Sequence, residues 1–160
     1  MIERSQGNGG VGGLTLPLAD QIASAVIDWG RSNGSGRLTA AVLDAGGHLI
    51  VLKRDDGAEF LRPDIAIGKA WGALAMGIPG RLLADKAAKI PQFMTAVSVM
   101  SGGRMVPVAG GVLIRRDSLV VGAVGVSGDT SEVDEASAVH AVEAVGLEAD
   151  VGQREEWNRP

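Results

Sequence analysis

The sequence predicts an α/β chain of the α+β kind, an antiparallel sheet of about five strands with helices packed on it. Three observations carry that expectation. Strand-like runs fall into two groups, near residues 38–54 and 104–127, joined internally by short turns. Helix-like segments precede, separate and follow these groups, so the order is helix, hairpin, helices, strands, helix. There is no regular strand–helix alternation of the kind that builds a parallel sheet, and no internal repeat is visible.

Each element has a local cause. Thr15 is a good N-cap, and Pro17 stands in the first turn, where its missing N–H is tolerated. Leu18, Ile22, Ala25, Val26 and Trp29 recur at helical spacing, and Asn33-Gly34-Ser35-Gly36 ends that helix. LTAAVLD and HLIVLKR flank Ala45-Gly46-Gly47 in a hairpin pattern. Strict alternation on the second strand puts His48, Ile50, Leu52 and Arg54 on one face, with Leu49, Val51 and Lys53 on the other. Residues 63–100 read as three helical pieces, PDIAIGKAWGALAMG, RLLADKAAK and PQFMTAVSVM, broken at Gly77, Pro79 and Pro91. Three more strands are expected from RMVPVAG, GVLIRRD and LVVGAVGVS, the last two joined at Asp117-Ser118. A final helix is expected over 131–148, with Ser127, Asp129, Thr130 and Ser131 as candidate caps. It carries Ala or Val on nearly every side, so something must cover it.

Length and composition bound the rest. One domain over 14–150 is expected, preceded by a Gly-rich arm at 1–13 and followed by a polar tail at 151–160. In that tail Trp157 is the large apolar group able to dock on a neighbour. With 24 Gly and an apolar set dominated by Ala and Val, the core is expected to be thin and completed by neighbouring subunits. A tetramer or octamer fits that expectation best. The absence of Cys excludes disulfides, thiolate catalysis and zinc–thiolate sites. A net charge of −4 without a basic run argues against nucleic acid as a partner. The N-terminus has no apolar signal region, and no stretch approaches the ~20 apolar residues of a membrane span. A cytoplasmic protein is expected.

Several segments resemble one known family. AAVLDAGGHLIVLKRDDG is similar to its strand–turn–strand segment ending in Arg-x-Asp-Gly, and PDIAIGKAWGALAMG to the helix that follows. VPVAGGVLIRRDSLVVGAVGVSG, followed by Asp134-Glu135, resembles its most characteristic stretch. The family is the GlcG/HbpS-like one, also seen as the C-terminal domain of PduO-type corrinoid adenosyltransferases. The resemblance implies a profilin-like fold, assembly into homo-oligomers and a small-molecule ligand, with haem the favoured cofactor.

Two functional classes stay open, a ligand-binding module and a small enzyme acting on a polar substrate. For binding, the strand-to-helix segment ending at Gly125, Ser127, Gly128 and Asp129 offers bare backbone and a helix N-terminus to an anion. Gly110 and Gly111, His48 and Arg54 complete the expected ligand contacts. For catalysis, Asp56 and His140 are the acid–base candidates and Lys69 the cation for an anionic substrate. On a helical projection His140 falls on an apolar stripe with Val133, Ala136, Ala144 and Leu147. Asp129, Glu132, Asp134 and Glu135 crowd the start of the last helix, where they complement its dipole, and no metal is assigned.

Overall fold

The computed structural model describes residues 13–152; most of the N-terminal arm and most of the tail, Trp157 included, lie outside the described residues. In chain order the elements are α1 (Leu16–Asn33), β1 (Thr39–Asp44), β2 (Leu49–Arg54), α2 (Arg62–Met76) and α3 (Gly80–Lys89). They continue with α4 (Pro91–Met100), β3 (Gly111–Arg116), β4 (Leu119–Ser127), α5 (Ser131–Ala144) and β5 (Glu148–Asp150). The five strands form one sheet in the order β2-β1-β4-β3-β5, and every pairing is antiparallel. This is the α+β architecture that the element order predicts.

Strand alternation divides the core in two. Ala40, Val42, Val112, Val124 and Val126 face α1 and α5, packing with Ile22, Val26, Ala138, Ala141 and Val142. Ala41, Leu43, Leu113 and Ala123 face the other way and meet Ala66, Ala70 and Ala73 of α2. The alanines let α2 lie close on the sheet. A smaller cluster of Leu83, Met94 and Met105 holds α3 and α4 beside α2.

Local chemistry explains the boundaries. The Thr15 hydroxyl accepts the Leu18 N–H and caps α1, which ends at Gly34 in the left-handed conformation. Asp117 and Ser118 both take positive φ, the two-residue geometry that matches the twist of β3 and β4. Among the described residues, no helix is long and apolar enough to cross a membrane.

Three expectations change. RMVPVAG is an irregular connection rather than a strand. Pro107 removes a ladder donor there, and the Val106 N–H is spent on the Gly68 carbonyl of α2. The final helix stops at Ala144, and Gly146, at φ +75, turns the chain back so that Glu148–Asp150 supplies the fifth strand. On β2 a register shift between Val42 and Leu43 leaves Ile50 without a partner, so the alternation from His48 to Arg54 breaks at that bulge. Leu49 and Leu52 then lie opposite Leu43 and Ala41, both on the face turned to α2.

Candidate functional site

Lys69, on α2, extends to the end of the sheet and donates to Asp134 Oδ2 of α5 at 2.8 Å. The two side chains are 4% and 2% exposed, so a buried ion pair joins helices on opposite faces of the sheet. Gly110 makes this crossing possible. A Cβ there would stand 2.9 Å from Lys69 Nζ and 3.1 Å from Asp134 Cβ, and its φ of +106 also favours glycine. Asp134 Oδ1 accepts the Asp129 N–H at 3.0 Å. Burial pushes the Asp134 carboxyl above the usual aspartate range, although Lys69 and the Asp129 N–H both favour its ionised form.

Gly111, Gly125, Ser127, Gly128 and Asp129, also expected to bind a ligand, line the same seam. A Cβ at Gly111 would overlap the Lys69 carbonyl, one at Gly125 the Ala66 carbonyl, and one at Gly128 the Arg37 carbonyl. Their bareness lets backbone pack on backbone. Ser127 is buried, and its hydroxyl accepts from Arg62 Nη1 at 3.4 Å. Asp129 accepts the N–H groups of Gly36 at 2.6 Å and Thr130 at 2.7 Å, which hold its carboxyl below the usual range. Thr130 caps α5, with Glu132 and Asp134 in the first turn. The positive end of this helix is therefore already met by the chain's own carboxylates.

The three expected catalytic residues occupy different surroundings. Lys69 is committed to Asp134. Asp56 and Arg54 are exposed and line a polar cleft of about 530 Å³ between α1 and β2. Around them, Arg31 binds Asp55 at 2.5 Å and Lys53 binds Asp20 at 2.9 Å. His140 is exposed, so its expected apolar stripe is the outward face of α5, with Ala136 and Ala144 exposed beside it. The buried face carries Ser137, Ala138, Ala141 and Val142 instead. With small residues on both sides, a helical projection could not tell these faces apart. His48 has a side chain 81% exposed, its Nδ1 3.3 Å from Asp44 Oδ1. Asp44 also accepts the N–H groups of His48 and Gly46, which hold its carboxyl below the usual range.

A further site was not singled out from the sequence. Gly68 and Gly72 stand about one turn apart on α2, and the connection 103–106 lies across them. A Cβ at Gly68 would come within 2.8 Å of the Arg104 carbonyl, and one at Gly72 within 2.8 Å of Met105 Cγ. This close approach carries the Arg104 guanidinium over the Trp71 ring, 4.2 Å from its centroid. Arg104 Nε donates to the Ser101 carbonyl at 2.9 Å. Around the stacked pair runs a groove of about 360 Å³ walled by Leu61, Ile65, Ile67 and Val106, with Asp64 as its acidic group. The other edge of Trp71 faces the hairpin turn, where a Cβ on Gly47 would sit 3.2 Å from the indole. An aromatic face, apolar walls and a guanidinium suit a flat apolar ligand bearing an anionic group. A glycine on either side of Trp71 in α2 is the local signal for this site. Arg104 comes from 33 residues further on, and no local pattern places it there. Among the described residues, no group of three metal-ligating side chains converges.

The family model described as haem degrading protein HbpS-like matches residues 14–143. Among solved structures, Klebsiella pneumoniae protein ORFY is 27% identical with a TM-score of 0.77, covering 91% of this chain and 97% of its own. HbpS is 25% identical with a TM-score of 0.73, covering 90% of this chain and 98% of its own. PduOC, solved as a haem complex, shares the fold at 24% identity and a TM-score of 0.77, covering 86% and 99%. No curated protein matches the chain.

Proposed function

This chain belongs to the HbpS-like family, and from that premise we propose that it binds a flat, carboxylate-bearing small molecule, haem first among such ligands, in the groove beside Trp71. The observation that carries the reading is the Trp71–Arg104 stack set in apolar walls. An incoming macrocycle takes the place of the guanidinium on the indole face, and the freed Arg104 pairs with a propionate. A charge-assisted hydrogen bond of that kind contributes about 1.5–3 kcal/mol. Of the two histidines, His48 stands one residue beyond the glycine that packs on Trp71, outside the groove's own lining. His140 lines a different groove, on the outward face of α5. His48 is therefore the proposed iron ligand.

The same reading includes self-association. Helix α4 has no charged residue, and of its ten residues Met94 is the buried one. Phe93, Val99 and Met100 stand exposed, as do Phe60 and Leu61 ahead of α2. A second copy of the chain would cover this surface, giving at least a dimer, with the tetramer or octamer as its higher forms.

Hemin titration followed by absorption tests the ligand. Saturable one-to-one binding with a shifted Soret band is expected. Arg104→Ala should weaken binding roughly 10–100-fold, the equivalent of one charge-assisted hydrogen bond. Undiminished binding by a Trp71→Ala, Arg104→Ala double variant would overturn the assignment to this groove.

A further inference from the structure

The outward side of α5 carries a second groove, of about 360 Å³, on the opposite face of the sheet from Trp71. Glu132, Glu135, Ala136, Val139, His140 and Glu143 follow one another along it at helical spacing. Arg81 of α3 and Val151 complete its wall.

Glu135 is the unusual member. Its side chain is only 5% exposed, yet only one of its two carboxylate oxygens has a partner. Arg81 donates to Oε1, whereas Oε2 is buried with no hydrogen-bond donor. A buried carboxylate oxygen left without a donor is costly, and a group that brings N–H donors to it gains correspondingly. Arg81 itself is 44% exposed, a long side chain able to swing aside. Glu132 and Glu143 are exposed beyond it, and between the carboxylates lie the apolar side chains of Ala136, Val139 and Val151. Glu135 and Glu143 are eight residues apart, about 12 Å along the helix.

We propose that this groove binds an aliphatic di- or polyamine. One ammonium group displaces Arg81 and donates to Glu135, the methylenes lie on Ala136 and Val139, and a distal ammonium pairs with Glu143. A divalent metal ion fits less well, because no three ligating side chains converge among the described residues. Carboxylates at both ends of an apolar strip, Glu132 and Glu135 at one and Glu143 at the other, instead match a chain with a charge at each end.

Isothermal titration with spermidine in 150 mM salt tests the proposal, with circular dichroism and thermal melting to check each variant's fold. Saturable one-to-one binding is expected in the unaltered protein. Glu135→Gln should abolish it, and Glu143→Gln should weaken it about tenfold. Arg81→Gln, which uncovers Glu135, should tighten it several-fold, while the charge-matched change Arg54→Gln on another surface should not. Should Glu135→Gln fail to fold, the two exposed positions Arg81 and Glu143 still decide. No saturable heat in the unaltered protein would overturn the site. Equal responses to Arg81→Gln and Arg54→Gln would do the same, since they would show diffuse attraction to a protein of net charge −4.

Discussion

Lys69 and Asp134 are 65 residues apart in sequence and 2.8 Å apart in space, a buried pair that ties the helix layer on one face of the sheet to the layer on the other. Two charges taken out of water together recover the expense of desolvation only if each keeps its partner. Removing one should therefore hurt far more than removing both. Lys69→Ala or Asp134→Ala is expected to destabilise the fold by about 3–5 kcal/mol. The double change Lys69→Met with Asp134→Leu should be neutral, or stabilising by up to ~4 kcal/mol. Urea denaturation of the three variants measures this. A double variant as unstable as either single one would show that loss of the Asp129 N–H contact, which also rests on Asp134, outweighs the relief of desolvation.

Gly125 of β4 and Gly128 just beyond it are expected to fail structurally before they fail functionally. At Gly125 a methyl group would overlap the Ala66 carbonyl and crowd the Ala70 amide, both backbone atoms of α2. Neither can yield without lifting the helix off the sheet. Gly125→Ala should cost about 3 kcal/mol or more, at the upper end of overpacking effects. Gly128→Val, which meets the Arg37 carbonyl, should behave alike. Thermal melting decides: a normal transition in either variant would contradict the packing reading.

How far the sequence revealed this molecule depends on the range of the cause. The hairpin, the three breaks at Gly77, Pro79 and Pro91, and the Thr15 cap are local chemistry, and all were legible. The fifth strand was not. RMVPVAG has the composition of a strand, but its Val106 amide is claimed by Gly68 of α2, while Glu148–Asp150 pairs with β3 although only three residues long. The sequence marks Lys69 without its partner and Trp71 only as part of a helix, because their partners come from distant parts of the chain. The exposure of His140 escapes the sequence for a different reason. Small apolar residues on both sides of α5 leave the projection without a preferred face.

Acid should loosen the molecule through Asp129, Asp44 and Asp55. Their carboxyls lie below the usual range, through backbone donors at Asp129 and Asp44 and through Arg31 at Asp55. In the window between the folded and unfolded values, the unfolded chain binds more protons, so stability rises with pH there. The contribution is complete above about pH 5 and is lost as pH falls through the lowered folded values. Asp134 runs the other way. Its raised value means that the folded state takes the proton first, so its own contribution falls as pH rises. Asp129→Asn should therefore flatten the loss of melting temperature between pH 5 and pH 3 (roughly the window where depressed aspartates titrate). An unchanged slope would mean that the contacts from Gly36 and Thr130 do not persist in solution.

The surface that joins one copy to another is expected to be α4 rather than α5. By sequence alone the uncovered apolar helix is α5, where Ala and Val surround His140. In the structure one side of α5 is covered by α1 and the sheet, and the other carries Glu132, His140 and Glu143. Helix α4 presents the opposite case, with Val99 75% and Met100 82% exposed and no charge along its length. Large apolar groups in water are stabilised by burial at roughly 25 cal/mol per Å², and an uncharged helix sets no electrostatic penalty against a second copy of itself. Multi-angle light scattering at micromolar concentration should give a mass of at least two chains. Replacing Val99 and Met100 together by Glu should shift it toward the monomer, because each carboxylate would have to be buried in the contact. His140→Glu, a change of similar size on α5, should leave the mass untouched. A monomer in the unaltered protein would remove self-association through α4, and dissociation by His140→Glu alone would return the interface to the last helix.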